Sequence, residues 1–167
     1  MGASTQIGGR NHYHPLDIVE RLVASREWMF DRNSDHEMAV RVPGRWCDHN
    51  LFFAWSDSME AVQFTCAFDL RVPPARRTAV NELLALINER LWIGHFGLWA
   101  EEGQPLYRHV LPLRGQKAPS VEQIEDLIEA ALDDCERFYP AFQFVVWAGK
   151  EPAEALEAAM IDTAGEA

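Results

Sequence analysis

Long apolar runs are missing from this chain. No stretch approaches the ~20 residues that a membrane helix needs, and no apolar leader core follows the Gly/Ser/Thr-rich start. The cytoplasm is therefore the expected compartment. Cysteine is scarce: Cys47, Cys66 and Cys135 are odd in number, far apart and without a C-x-x-C spacing. That usage reads as free thiols in a reducing compartment. Positive charge is also short. Lys and Arg number 15 against 26 Asp and Glu, a formal net charge of −11. Such a surface repels nucleic acid and anionic lipid, so neither is an expected partner.

Signatures of chemistry are absent in the same way. There is no Rossmann fingerprint, P-loop, G-x-S-x-G or H-E-x-x-H, and neither cofactor nor metal is expected. Gly94-His95-Phe96-Gly97 spells G-x-x-G, but a KH loop joins two helices and is basic. Here the motif joins a helix to a strand in an acidic chain. Cys66 falls on the apolar face of its strand, where a thiol acts as a small hydrophobe. Cys47 has only Arg45 beside it to lower its pKa. His95, His109 and Asp48 are the set from which a small hydrolase or ligand site could be built, if the fold brought them within hydrogen-bond reach.

What is present is a core-forming pattern. At 167 residues with 48% apolar content, one domain is expected, large enough to need no disulfide or metal. The chain is organised around residues 79–103. Val80, Leu83, Leu84, Ile87 and Leu91 form one helical stripe, and Gly94 supplies a left-handed stop. A short aromatic strand from Phe96 to Trp99 follows.

The rest of the order reads from punctuation. Residues 1–14 are small and polar, a flexible arm. A helix begins at Pro15, with Asp17 and Glu20 in its positive first turn, and runs to about Glu27 or Trp28. Three strands follow, at residues 37–42, 46–55 and 59–72, with Pro43-Gly44 as a turn. Pro73-Pro74 ends that sheet. After the central helix, strands near 95–100 and 106–113 form a hairpin. Ser120 and Gln123 offer a capping box to a long helix, which Pro140 interrupts or kinks. Residues 142–147 fit either a further helical turn or a short strand. Residues 15–149 make the domain, and the Ala/Glu-rich 150–167 are a weakly helical, loosely attached tail. The sum is α-β-β-β-α-β-β-α, an α+β fold with helices packed on an antiparallel sheet.

The run Asn88 to Trp99 (NERLWIGHFGLW), with Leu106 to Leu113 (LYRHVLPL) after it, resembles the YbjN family of small bacterial proteins. Trp46-Cys47-Asp48 and Leu51-Phe52-Phe53 are similar to that family's first hairpin. The chain departs at Gly97, where the family usually carries an acidic residue. The resemblance implies a fold like that of class I type III secretion chaperones, which are acidic dimers, and a role in sensory-transduction regulation. It carries over no catalytic residue. The expected function is a non-enzymatic, homodimeric protein-binding module that buries an apolar segment of a client. Trp46, Trp92, His95, Phe96, Trp99 and His109 are the expected binding surface, since Trp is enriched at interface hot spots.

Overall fold

In the computed structural model, residues 14–116 and 118–164 are described. Helix α1 spans Pro15–Ser25. The His14 ring accepts the Leu16 amide at 3.2 Å, so this histidine, expected in a loose arm, is the N-cap of α1. The remainder of that arm lies outside the described residues. Glu27 takes a positive φ of 58°, and the chain turns there into a strand the pattern did not reveal, β1 (Met29–Arg32). Of the two helix-facing positions of β1, Phe30 packs against the core and the other is an arginine. Arg32 Nη1 reaches Asp17 at 2.6 Å and Glu20 at 2.8 Å, so two carboxylates of α1 complete what an apolar residue would otherwise supply.

Strands β2 (Glu37–Val42), β3 (His49–Ser56) and β4 (Ala61–Phe68) form the expected meander, with β3 and β4 shorter than anticipated. A short 3-10 turn at Pro74–Arg76 leads into α2 (Arg77–Asn88). Then come β5 (His95–Trp99), β6 (Gln104–Pro112) and α3 (Val121–Val146). The Ser120/Gln123 capping box is present, and α3 runs on through Pro140 and the ambiguous 142–146 segment. The expected loose tail is a packed helix, α4 (Pro152–Ala164), which buries Ala155, Leu156 and Ala159 in the common core. Small residues there allow close approach of helices, a signal that a pattern of large apolar residues does not carry.

The six strands make one fully antiparallel sheet in the order β1-β2-β3-β4-β6-β5. Side chains alternate between its faces. Met38, Val40, Leu51, Phe53, Phe64, Cys66, Phe68, Phe96 and Tyr107 lie on one face and share a core with all four helices. Each large side chain buried there contributes ~2–3 kcal/mol from removal from water.

Two side-chain locks fix the entry to β5. Asn88, the last residue of α2, donates to Phe96 O at 3.1 Å and accepts the Phe96 amide at 2.8 Å. Tyr107 OH donates to Ile93 O at 2.6 Å. Gly94 has φ +70°, and a Cβ there would collide with the Tyr107 ring. The left-handed glycine is thus as expected, but it serves the strand entry. The helix itself ends six residues earlier, at Asn88.

Candidate functional site

Among the described residues, no helix covers the other sheet face. Register places Met29, Ala39, Phe52, Leu106, Trp99 and Val110 on it. Phe52 comes from β3 and Trp99 from β5, with β4 and β6 between them in the sheet, yet their ring centroids are 6.4 Å from each other. Between them Ala67 and Leu106 are buried, although no helix lies over them. Phe52 remains 40% exposed. Beside it is an open depression of ≈ 290 Å³ whose lining includes Met29, Asp31, Ala39, Arg41, Asn50 and Phe52. The face therefore mixes apolar and polar side chains: Thr65 and Arg108 continue the row from Phe52 across β4 and β6, and Asp31 and Arg41 stand at its margin.

Of the six expected binding residues, His95 and Trp99 share this face. Trp92 is 100% exposed on the loop between α2 and β5. Trp46 lies on the loop before β3, where its Nε1 donates to Glu136 O at 3.3 Å and the Arg45 guanidinium sits over its ring. Phe96 is 2% exposed, packed among Phe68, Tyr107, Phe138 and Phe142, and a side chain so buried touches no partner. His109 follows Tyr107 on the helix-covered face, where burial, with His95 adding to it, lowers its pKa.

The set for a hydrolase does not assemble. His95 pairs with Arg108, so His95 and His109 point to opposite faces. His49, adjacent to Asp48, pairs with Phe68, while His109 pairs with Phe64. Four residues of β4 separate those positions, roughly 13 Å along the strand.

The structure instead brings together residues that no local spacing links. His49 enters β3, Cys66 is on β4, and Cys135 and Glu136 are on α3. His49 Nε2 donates to Glu136 Oε1 at 2.8 Å, and the Arg45 amide donates to the same oxygen at 2.8 Å. Cys66 Sγ and Cys135 Sγ are 3.6 Å apart. One ligand atom each from His49, Cys66 and Cys135 lies within 4.8 Å of the others. A Cβ on Gly44 would collide with both His49 Nε2 and Glu136 Oε1, so glycine is needed where that loop crosses the pair.

The two buried thiols are shifted in opposite directions. The Cys135 S–H bond draws the Cys66 thiol down to about 6, against burial and with help from His49. Burial opposes a charged His49, yet its interactions with Cys66 and Glu136 raise its pKa. Burial and the neighbouring Cys66 push Cys135 well up. Burial likewise raises Cys47. In sequence Cys66 reads as a core hydrophobe and His49 as a structural or surface histidine, because His49, Cys66 and the Cys135–Glu136 pair lie 17 and then 69 residues apart.

Comparison with known proteins follows the fold. Residues 15–144 match the model of the YbjN family, described as "Putative bacterial sensory transduction regulator". Among solved structures the chain is similar to the "Crystal structure of YbjN, a putative transcription regulator from E. coli". The TM-score is 0.52 at 12% identity, covering 72% of this chain and 85% of that one. None of the curated proteins matches the chain.

Proposed function

The chain belongs to the YbjN family, and we propose that it is a cytoplasmic, non-enzymatic regulatory module that binds an apolar segment of a partner protein on its helix-free sheet face. The observation that carries this reading is the Phe52–Trp99 pair, held over Ala67 and Leu106 on a face that no described helix covers. A large apolar patch left outside the core is a mark of an interaction surface. The net charge of −11 favours a segment whose apolar residues are flanked by Lys or Arg, through attraction during encounter. Trp99 and His95 remain contact residues in this reading, and Trp92 is a second, separate contact point.

The test is binding of a peptide array that varies apolar content and flanking charge, read by fluorescence anisotropy. Basic, apolar peptides are expected to bind, with affinity falling at least about tenfold in Phe52→Ala and in Trp99→Ala, the size of a hot-spot truncation. Met59→Ala, a 71% exposed residue in the β3–β4 turn, is expected to leave binding unchanged. Equal loss in all three variants, or no peptide preference, overturns the proposal. Pairing of two copies is proposed alongside it, and sedimentation of the same variants reads that state. A dimer that persists without Phe52 and Trp99 leaves the face to the partner. A dimer lost with them assigns the face to a second copy instead.

A further inference from the structure

We propose that Cys66, Cys135 and His49 form a buried site for one thiophilic d10 metal ion, zinc(II) or copper(I), which would tie β3, β4 and α3 together. Three observations carry this.

The first is donor chemistry and spacing. Two thiol sulfurs and one imidazole are a soft ligand set. Sulfurs 3.6 Å apart, each ~2.3 Å from a shared ion, would subtend roughly 100° there, close to a tetrahedral angle. The ligand atoms already converge, so binding requires little rearrangement.

The second is an unpartnered donor atom. His49 is 1% exposed, and its Nδ1 is buried with no hydrogen-bond partner among the described residues. Leaving a buried polar atom so is costly unless a ligand completes it. In the neutral ring whose Nε2–H is given to the Glu136 carboxylate, Nδ1 presents its lone pair.

The third is the Glu136–His49 hydrogen bond itself. A ligating histidine almost always donates its second ring N–H to a carboxylate or carbonyl, which fixes the tautomer and the ring orientation. Glu136 does this for His49, the Arg45 amide donates to the same carboxylate oxygen, and the absence of a Cβ on Gly44 leaves room for the pair. A pair of core thiols acting as small hydrophobes would require none of these arrangements.

Binding would form two metal–sulfur bonds and one metal–nitrogen bond; the Cys135 S–H bond breaks, as does that of Cys66 where it is still protonated, each proton leaves to solvent, and no redox step occurs. The three ligands are closed to solvent, so the ion enters as the chain folds or when the loop carrying Gly44 opens.

The experiment uses the full chain purified under reducing, oxygen-free conditions. Metal content is measured as isolated, and again after refolding from urea with zinc(II) or with copper(I) in a competing chelator. One equivalent of one ion is expected, with a rise in Tm over the metal-free protein. Cys66→Ser and Cys135→Ser are expected to lose both, and Cys47→Ser neither. Glu136→Gln, which keeps an oxygen acceptor for His49, is expected to bind about 10–100-fold more weakly. Should a cysteine variant fail to fold, His49→Ala and Glu136→Gln supply the same readout. Absence of any stoichiometric ion overturns the proposal. So does binding that survives loss of either cysteine, or a thiol count showing a Cys66–Cys135 disulfide in the isolated, metal-free protein.

Discussion

The indole Nε1 of Trp46 donates to the backbone carbonyl of Glu136, the helix oxygen that Pro140 leaves without an amide partner. Proline has no N–H, and four residues earlier in a helix the carbonyl it should serve is stranded. The indole supplies the donor that Pro140 lacks where α3 continues through it. Trp46, half-exposed and suggestive of a binding residue, is in this respect a structural donor. Trp46→Phe keeps the ring and removes the N–H, so it is expected to cost about 1 kcal/mol in urea unfolding. Pro140→Ala restores the amide donor to Glu136 O. In that background Trp46→Phe should cost less, giving a coupling of about 0.5–1 kcal/mol in the double-mutant cycle. Additive effects would mean the indole hydrogen bond does not offset the proline.

The lock between α2 and β5 gives a second expectation. Asn88→Ala strands both the amide and the carbonyl of Phe96 at the head of an edge strand. A loss of about 1–3 kcal/mol is expected, with faster hydrogen exchange at Phe96. Asn88→Asp retains the acceptor for the Phe96 amide and should fall between. Gly94→Ala must place a Cβ into the Tyr107 ring at positive φ. It is expected to lower stability by more than about 1 kcal/mol, measured by the urea midpoint at constant m.

The architecture was legible where side chains followed one physical rule at a time. Strand β2, the central helix, the final hairpin and the capping box at Ser120 all show clean periodicity or fixed turn chemistry. β1 escaped because it is four residues long and Arg32 occupies one of its two inward positions, held there chiefly by carboxylates twelve and fifteen residues away. Phe96 and Trp99 lie three apart in one aromatic run, and strand alternation sends one to the core and the other to the open face. The sequence signals that run but not which face will be covered. The His49–Glu136–Cys66–Cys135 cluster has no local signature at all, since three separate elements assemble it.

The apolar positions of helix α4 are largely alanine, which in the sequence alone signals a loose tail. Its burial makes a sharp prediction. Leu156 is 3% exposed in the common core, so Leu156→Ala is expected to cost about 2–5 kcal/mol, as for other buried leucines. A loosely attached tail would lose no more than about 0.5 kcal/mol, the scale of a surface substitution. Urea unfolding of the full chain separates the two.

His36 and Asp57 yield a pH-dependent prediction at the end of the β2–β3 hairpin. His36 Nε2 and Asp57 Oδ2 are 2.6 Å apart, and Trp55 Nε1 donates to Asp57 Oδ1 at 2.8 Å. The hydrogen bond and charge of Asp57 raise the His36 pKa, with Asp35 and Glu37 adding to it. The hydrogen bonds from His36 and then Trp55 lower that of Asp57. His14, from the start of α1, also faces His36, with ring centroids 6.5 Å apart. Its pKa is lowered by burial and then by Arg32, so it charges later than His36 as pH falls. A raised histidine contributes stability that is complete below its ordinary pKa and lost as pH rises through the raised value. A lowered aspartate contributes stability present above its ordinary pKa and lost as pH falls through the lowered value. The pair therefore stabilises the hairpin between about pH 4 and 6.5 and fades above that. His36→Gln should be less stable than the parent at about pH 5.5 and equal to it by about pH 8. Both groups are solvent-exposed, so ~1 M salt should shrink the difference at low pH. A difference of the same size at both pH values would show that His36 acts through packing, and the charged pair would then contribute nothing to the fold.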